Sequence, residues 1–154
     1  MSDLKLDDYL PYRLSVASTA VSELIARAYQ ARFGLTIPQW RLMAVLGESG
    51  PMTPQALGAR TMMDKVTVSR AAQALTERGL TGREANTADG RSHRLSLTRD
   101  GAALYAEIAP SALAYEAQLL AAFSPADQAA AHALLLRLQA AALALTQAGI
   151  ARQD

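Results

Sequence analysis

Apolar residues at Leu10, Leu14, Ala17, Val21, Leu24 and Ala28 recur at steps of four and three, which places them along one stripe of a helix. The stripe predicts a first helix of about twenty-five residues, ending near Phe33 and Gly34. A second helix is predicted from Thr36, a capping residue, with Pro38 in the first turn and Trp40, Met43, Ala44 and Leu46 following until glycines at 47 and 50 stop it. A short third helix, Pro54 to Arg60 behind a Thr53 cap, leads into the turn Thr61-Met62-Met63. Asp64 then stands as the N-cap of a fourth helix, Lys65 to Arg78.

At Gly79 the period changes. Leu80 precedes a polar run, and Leu95 and Leu97 then alternate with Arg94, Ser96 and Thr98, with the turn dipeptide Asp89-Gly90 between. One hairpin over 81–98 is expected, with its tip around 88–92, as the only sheet of note. Helical spacing resumes over 99–122 through Leu104, Ile108, Tyr115, Leu119 and Leu120, with a kink expected at Pro110. Ser124-Pro125 caps a last helix expected to reach Gln147. Its leucines at 134, 135, 136, 138, 143 and 145 lie on more than one face, so it needs a second partner. The first helix carries a seam-like stripe. Together they predict a homodimer built from both termini, with an intramolecular bundle as the alternative.

The 154 residues suit one domain or two very small ones. Alanine makes up roughly a fifth of the chain, and a supply of helix formers on that scale argues a mainly α fold. Fifteen Lys and Arg against fourteen Asp and Glu nearly cancel, but residues 60–100 hold eight basic and five acidic side chains. The positive charge is therefore regional. The absence of cysteine removes disulfides, thiolate catalysis and Cys-based zinc sites. Two histidines far apart, His93 and His132, do not suggest a metal site, and no cofactor is expected. The start carries Asp3, Asp7 and Asp8 and no apolar signal-type run, and no stretch of about eighteen uncharged apolar residues occurs. The expectation is a soluble, cytoplasmic protein with no membrane partner.

Helix, short turn, helix and basic-tipped hairpin is the order of a winged helix-turn-helix. At 100° per residue, Val68, Ala71, Ala72 and Leu75 share one side of the fourth helix, and Val66, Ser69, Arg70, Gln73 and Glu77 look away. Arg70 suits a bidentate contact to guanine, Gln73 suits adenine, and Ser69 suits a phosphate or a base. Lys65 and Thr67, in the first turn, suit backbone phosphates. A solvated amphipathic helix shows the same polar face, but the hairpin adds Arg83, Arg91, His93 and Arg94 on or beside a projecting loop. There Arg91 is placed to enter a narrow minor groove. These features predict binding to double-stranded DNA.

The strings DKVTVSRAAQALTERGL (64–80) and DGRSHRLSLT (89–98) resemble the recognition helix and wing of the MarR (multiple antibiotic resistance regulator) family, and LTIPQWRL (35–42) is similar to that family's second helix. The resemblance spans roughly Leu10 to Ala142, and the spacing from recognition helix to the D-x-R of the wing is its most specific part. It implies a winged helix-turn-helix over 35–98 and N- and C-terminal dimerisation helices over 1–34 and 99–154, in one interwoven unit. It also implies a pseudo-palindromic operator and a repressor released by a small ligand. By resemblance Thr67, Ser69, Arg70 and Gln73 fall on positions that contact bases or phosphates, Arg91 on the wing-tip arginine, and Asp89 on the aspartate that structures the wing. Val66 departs from the polar residue often found at its position, which means either a thymine-methyl contact or weaker specificity.

Family members sense through cysteine, metal or an organic anion held in a crevice beside the dimerisation helices. The first two lack residues here, so the resemblance implies an organic effector, an aromatic carboxylate, with Tyr12, Arg13, Ser15, Trp40 and Arg41 as candidates. Trp40 reads more readily as a core anchor of the second helix, and Arg13 and Arg41 as surface or interface salt-bridge partners. An enzyme is not expected: no Gly-rich phosphate loop, Ser/His/Asp set or paired carboxylates are legible. The alternative that keeps the fold is a winged-helix adaptor that binds protein and not DNA.

Overall fold

The computed structural model of the chain describes residues 3–86, 88 and 90–151. It is mainly helical, in the order α1 (Leu10–Ala26), α2 (Gln30–Phe33), α3 (Ile37–Ser49), α4 (Pro54–Thr61), α5 (Lys65–Glu77), β1 (Thr81–Ala85), β2 (His93–Leu97), α6 (Arg99–Leu120) and α7 (Pro125–Ala151), with a 3-10 turn at Leu6–Asp8 ahead of α1. By internal packing it divides into two units, one running up to Tyr115 and one beginning at Glu116.

The helix starts follow from side-chain caps. The Gln39 N–H donates to Thr36 Oγ1 at 3.3 Å while the Thr36 N–H donates to Gln39 Oε1 at 3.1 Å, a reciprocal capping box. Thr53 Oγ1 accepts the Ala56 N–H at 3.1 Å and Asp64 Oδ1 the Thr67 N–H at 2.8 Å. Each occupies a donor that a first helical turn leaves open. Pro38 and Pro54 sit in first turns, where a missing N–H costs nothing.

Three expectations need correction. The single first helix is two, because the backbone leaves the helix at Arg27–Tyr29 and Tyr29 takes φ −140°, ψ −17°. Tyr29 is only 1% exposed and stacks on Trp40, and burial of a ring this size outweighs the helical hydrogen bonds given up. The hairpin, antiparallel with Thr81 opposite Leu97 and Ala85 opposite His93, carries a further rung. Met52 and Leu95 exchange backbone hydrogen bonds of 3.0 and 2.8 Å, a bridge too short to show as alternation in sequence. Finally, α7 extends past Gln147 to Ala151, while Pro110 lies inside α6 where the sequence puts it.

In the first unit α3 touches α4, α5 and β2. Leu42, Met43 and Leu46 of α3 are buried together with Leu57, Val68, Leu75, Leu95 and Ile108, each such side chain stabilising the fold by about 1.5–3 kcal/mol. This packing holds the inner face of α5 and turns its other face outward. The end of α5 is then knotted to α6: the Leu80 N–H donates to Leu75 O (2.9 Å), the Thr98 N–H to Leu80 O (3.1 Å), Thr98 Oγ1 to Gly79 O (2.6 Å), and the Gly101 N–H to Thr98 Oγ1 (3.1 Å).

In the second unit Ser124 Oγ accepts the Asp127 N–H at 3.1 Å, and Gln128 Nε2 donates to the carbonyls of Leu120 and Phe123 at 3.1 and 3.0 Å. These bonds cap α7 and close the end of α6. Leu134, Leu135, Leu136, Leu143 and Leu145 are all exposed. By length and composition Pro125–Gly149 could cross a membrane, and none of its apolar window is buried. Arg137 stands midway along it.

Candidate nucleic-acid interface

The buried residues of α5 are Val68, Ala71, Ala72 and Leu75, the four that the helical period places inward. Lys65, Val66, Ser69, Arg70, Gln73 and Glu77 are exposed. Both Lys65 and Arg70 are exposed, and among the described residues neither takes part in an ion pair. Thr67 is different. Its N–H and its hydroxyl both donate to the Asp64 carboxylate, at 2.8 and 2.7 Å, so its hydroxyl hydrogen serves the cap and Lys65 is the first-turn side chain with donors to offer. The backbone N–H of Thr67, followed by its hydroxyl, holds the Asp64 carboxyl below its ordinary value. Gln73 Nε2 donates to Glu77 Oε1 at 3.1 Å.

On the hairpin Arg83 and His93 are exposed and Arg91 is exposed at the tip. Arg94 lies opposite Glu84 in the strand register and its Nη2 donates to Glu84 Oε1 at 2.9 Å, while its buried Nε–H has no partner among the described residues. Arg94 thus ties the two strands, and half of its charge-bearing fork is spent within the wing. Asn86, which sequence reasoning passed over, organises the tip: its N–H donates to Ser92 O (3.2 Å), its Nδ2 to Ser92 Oγ (2.9 Å), and its Oδ1 accepts the Ala88 N–H (3.2 Å). An asparagine at a turn is a legible signal for such bonds. Asp89 lies outside the described residues.

A second cluster gathers around Trp40. Its ring stacks on Tyr29 at a centroid distance of 5.4 Å and 22°, and on Tyr105 of α6 at 5.7 Å and 24°. Arg41 Nη2 donates to Ser22 Oγ of α1 at 3.3 Å. Burial pushes the Tyr29 phenol up, and the nearby Arg41 guanidinium pulls the other way. Trp40 and Arg41 therefore come together with Ser22, Tyr29 and Tyr105, none of them singled out from sequence. Tyr12, Arg13 and Ser15 are exposed on α1, and Ser15 lies about 10 Å along the helix from Ser22. Arg78, just past α5, donates to Phe33 O at 2.8 Å and to Gly34 O at 3.4 Å, which joins the turn after α2 to the end of α5. Among the described residues no three His, Cys, Asp or Glu side chains group as a metal ion requires.

A short turn joining α4 to α5, a polar and basic outer face on α5, and a two-stranded wing beside it define a winged helix-turn-helix protein. The sequence profile of the MarR family matches residues 33–92, from the end of α2 to the wing. The chain is 33% identical over 98 residues to the uncharacterised HTH-type transcriptional regulator YwoH of Bacillus subtilis, covering 64% of this chain and 71% of YwoH. A probable transcriptional regulator from Pseudomonas aeruginosa has a similar structure (TM-score 0.77, 34% identity, 87% of this chain and 99% of that one). So does Bordetella bronchiseptica BpsR (TM-score 0.79, 22% identity, 90% and 98%), whose DNA binding is regulated by 6-hydroxynicotinic acid. The chain belongs to the MarR family of transcriptional regulators. Its family and fold are those of regulators, not enzymes.

Proposed function

We propose that this regulator is a homodimeric, sequence-specific repressor that a small organic anion releases from a pseudo-palindromic operator in the cytoplasm. The observation that carries the reading is the division of α5: its four apolar residues are buried, and Lys65, Ser69, Arg70 and Gln73 face outward beside a wing bearing Arg83, Arg91 and His93. Side chains of these types at these positions match phosphate and base-edge contacts in a major groove. A protein-binding adaptor would have no use for them.

The regions 1–34 and 99–154 serve as dimerisation helices, and 35–98 as the DNA-binding region. Leu14, Val16 and Val21 on α1 and Leu134, Leu135, Leu136, Leu143 and Leu145 on α7 are exposed in the single chain, and a second copy is the cover their chemistry asks for. A bilayer would place Arg137 at its centre, at a cost of about 2.5–3.5 kcal/mol. The effector is an aromatic carboxylate: Arg41 supplies the cation, beside the half-buried Trp40 and the two tyrosines stacked on it. BpsR supports the reading by showing that this fold can couple a hydroxylated aromatic acid to DNA binding.

The test is binding to a duplex from the gene's own upstream region against a scrambled duplex, at two salt concentrations, with the mass of the complex measured by light scattering. Preference for the first duplex, weakening with salt, and two chains per site are expected. Binding neither to that duplex nor to any recovered in a genome-wide selection would leave the adaptor reading in its place.

A further inference from the structure

Glu77 stands at the C-terminal end of the outward face of α5, where two general effects disfavour a carboxylate. The helix dipole presents its negative end there. The same face, in the DNA-reading role proposed above on which this inference rests, meets phosphates. Set against both is one contact, the hydrogen bond from Gln73 Nε2 to Glu77 Oε1 at 3.1 Å, one helical turn away.

That contact settles an ambiguity in the reading side chain. A glutamine amide turned over exchanges its oxygen and its nitrogen, and so exchanges acceptor for donor at the base edge. A carboxylate only accepts, so the bond fixes the NH2 end of Gln73 toward Glu77 and Oε1 away from it. The NH2 group has two hydrogens. With one on Glu77, the other and Oε1 still form a donor–acceptor edge, the pair that matches N7 and N6 of adenine.

We infer that Glu77 is a positioning residue for base recognition: it holds the Gln73 amide in one orientation, and so gives discrimination for adenine at one step of the operator at the expense of overall affinity. Glu77 and Gln73 are both exposed, so substitutions test recognition without disturbing the core.

The experiment measures competitive binding of wild type, E77A, E77Q, Q73A and the double variant to operator duplexes varied one base pair at a time, with scrambled duplex as reference. Wild type is expected to prefer adenine at one position by roughly tenfold or more. E77A should shrink that preference to about threefold or less at that position only. It should also bind scrambled duplex roughly twofold more tightly, because one repelling charge is gone. E77Q should share the gain on scrambled DNA and lose much of the preference as well, since an amide at that position can donate to Gln73 Oε1 as readily as it accepts from Nε2 and no longer fixes one orientation. In the Q73A background, E77A should leave base preference unchanged.

An equal gain by E77A on every duplex, with the adenine preference intact, would overturn the inference and make Glu77 a surface charge. Failure of the underlying reading looks different. If Q73A itself loses no base preference, or wild type binds no duplex selectively, Gln73 is not a reader and the role of Glu77 falls with it.

Discussion

The carbonyl oxygen of Leu80 occupies the place that a side chain on Gly101 would need. The first turn of α6 is thereby seated directly on the chain leaving α5, where the Thr98 and Gly101 hydrogen bonds hold it. G101A is expected to destabilise the fold by about 1–3 kcal/mol, because the obstacle is backbone and cannot swing aside. At Gly47 a methyl group would come within 2.8 Å of the Tyr105 ring. A ring can shift, so G47A should cost less while loosening the Trp40–Tyr105 stack. Urea denaturation of the two variants should rank them in that order.

Asp64 gives the fold an acid-sensitive element. Its pKa lies below the ordinary 3.8 in the folded chain, chiefly through the Thr67 backbone N–H. Its contribution is therefore complete above the ordinary carboxylate value and disappears as pH falls through the lowered one. D64N keeps an accepting oxygen but cannot titrate. Its urea midpoint should fall less steeply with acid than that of wild type, and parallel curves would mean that the cap contributes nothing.

Met62, in the turn before α5, holds a left-handed backbone (φ 58°) and is 61% exposed. An L side chain is disfavoured in that region by about 1–2 kcal/mol, an amount partly cancelled for glycine by its larger unfolded-state entropy. M62G should therefore raise stability slightly, by at most about 1 kcal/mol, with thermal unfolding as the measure.

Arg70 and Arg91 separate reading from holding. R70A should lose about 1–3 kcal/mol on the operator and relax preference at one base pair. R91A, changed at the wing tip, should weaken operator and scrambled duplex more evenly. Fluorescence anisotropy titrations with matched duplexes distinguish the two patterns, and an identical pattern for both would remove the assignment of Arg70 as a base reader.

Trp40 is the one tryptophan in the chain and lies beside Arg41, which makes it a reporter for the proposed effector. Benzoate-like or hydroxynicotinate-like acids should change its emission saturably and release DNA over the same concentration range. R41A should weaken that binding by about tenfold or more, the worth of a charge-assisted hydrogen bond. No response from any aromatic acid would count against the carboxylate class.

The outward face of α5 was legible in the sequence. The positions of Val68, Ala71, Ala72 and Leu75 assign it by period alone, and Thr36, Thr53 and Asp64 announce helix starts that the structure places there. The Trp40 cluster was legible only in part. Trp40 and Arg41 stood out by residue type, whereas Ser22, Tyr29 and Tyr105 carry no local mark of belonging with them. Arg94 read as one more basic wing residue until the strand register set Glu84 opposite it.

The sequence by itself determined which way α5 faces, where the helices begin, and that a hairpin follows Gly79, because periodicity, capping and turn chemistry act between residues a few positions apart. Only the tertiary structure decided that the first helix breaks so that Tyr29 can stack on Trp40, that Met52 pairs with Leu95, and that Gly101 sits under Leu80. Those outcomes depend on which distant segments share the core, and burial and close approach between such segments outweigh the local preference that the sequence displays.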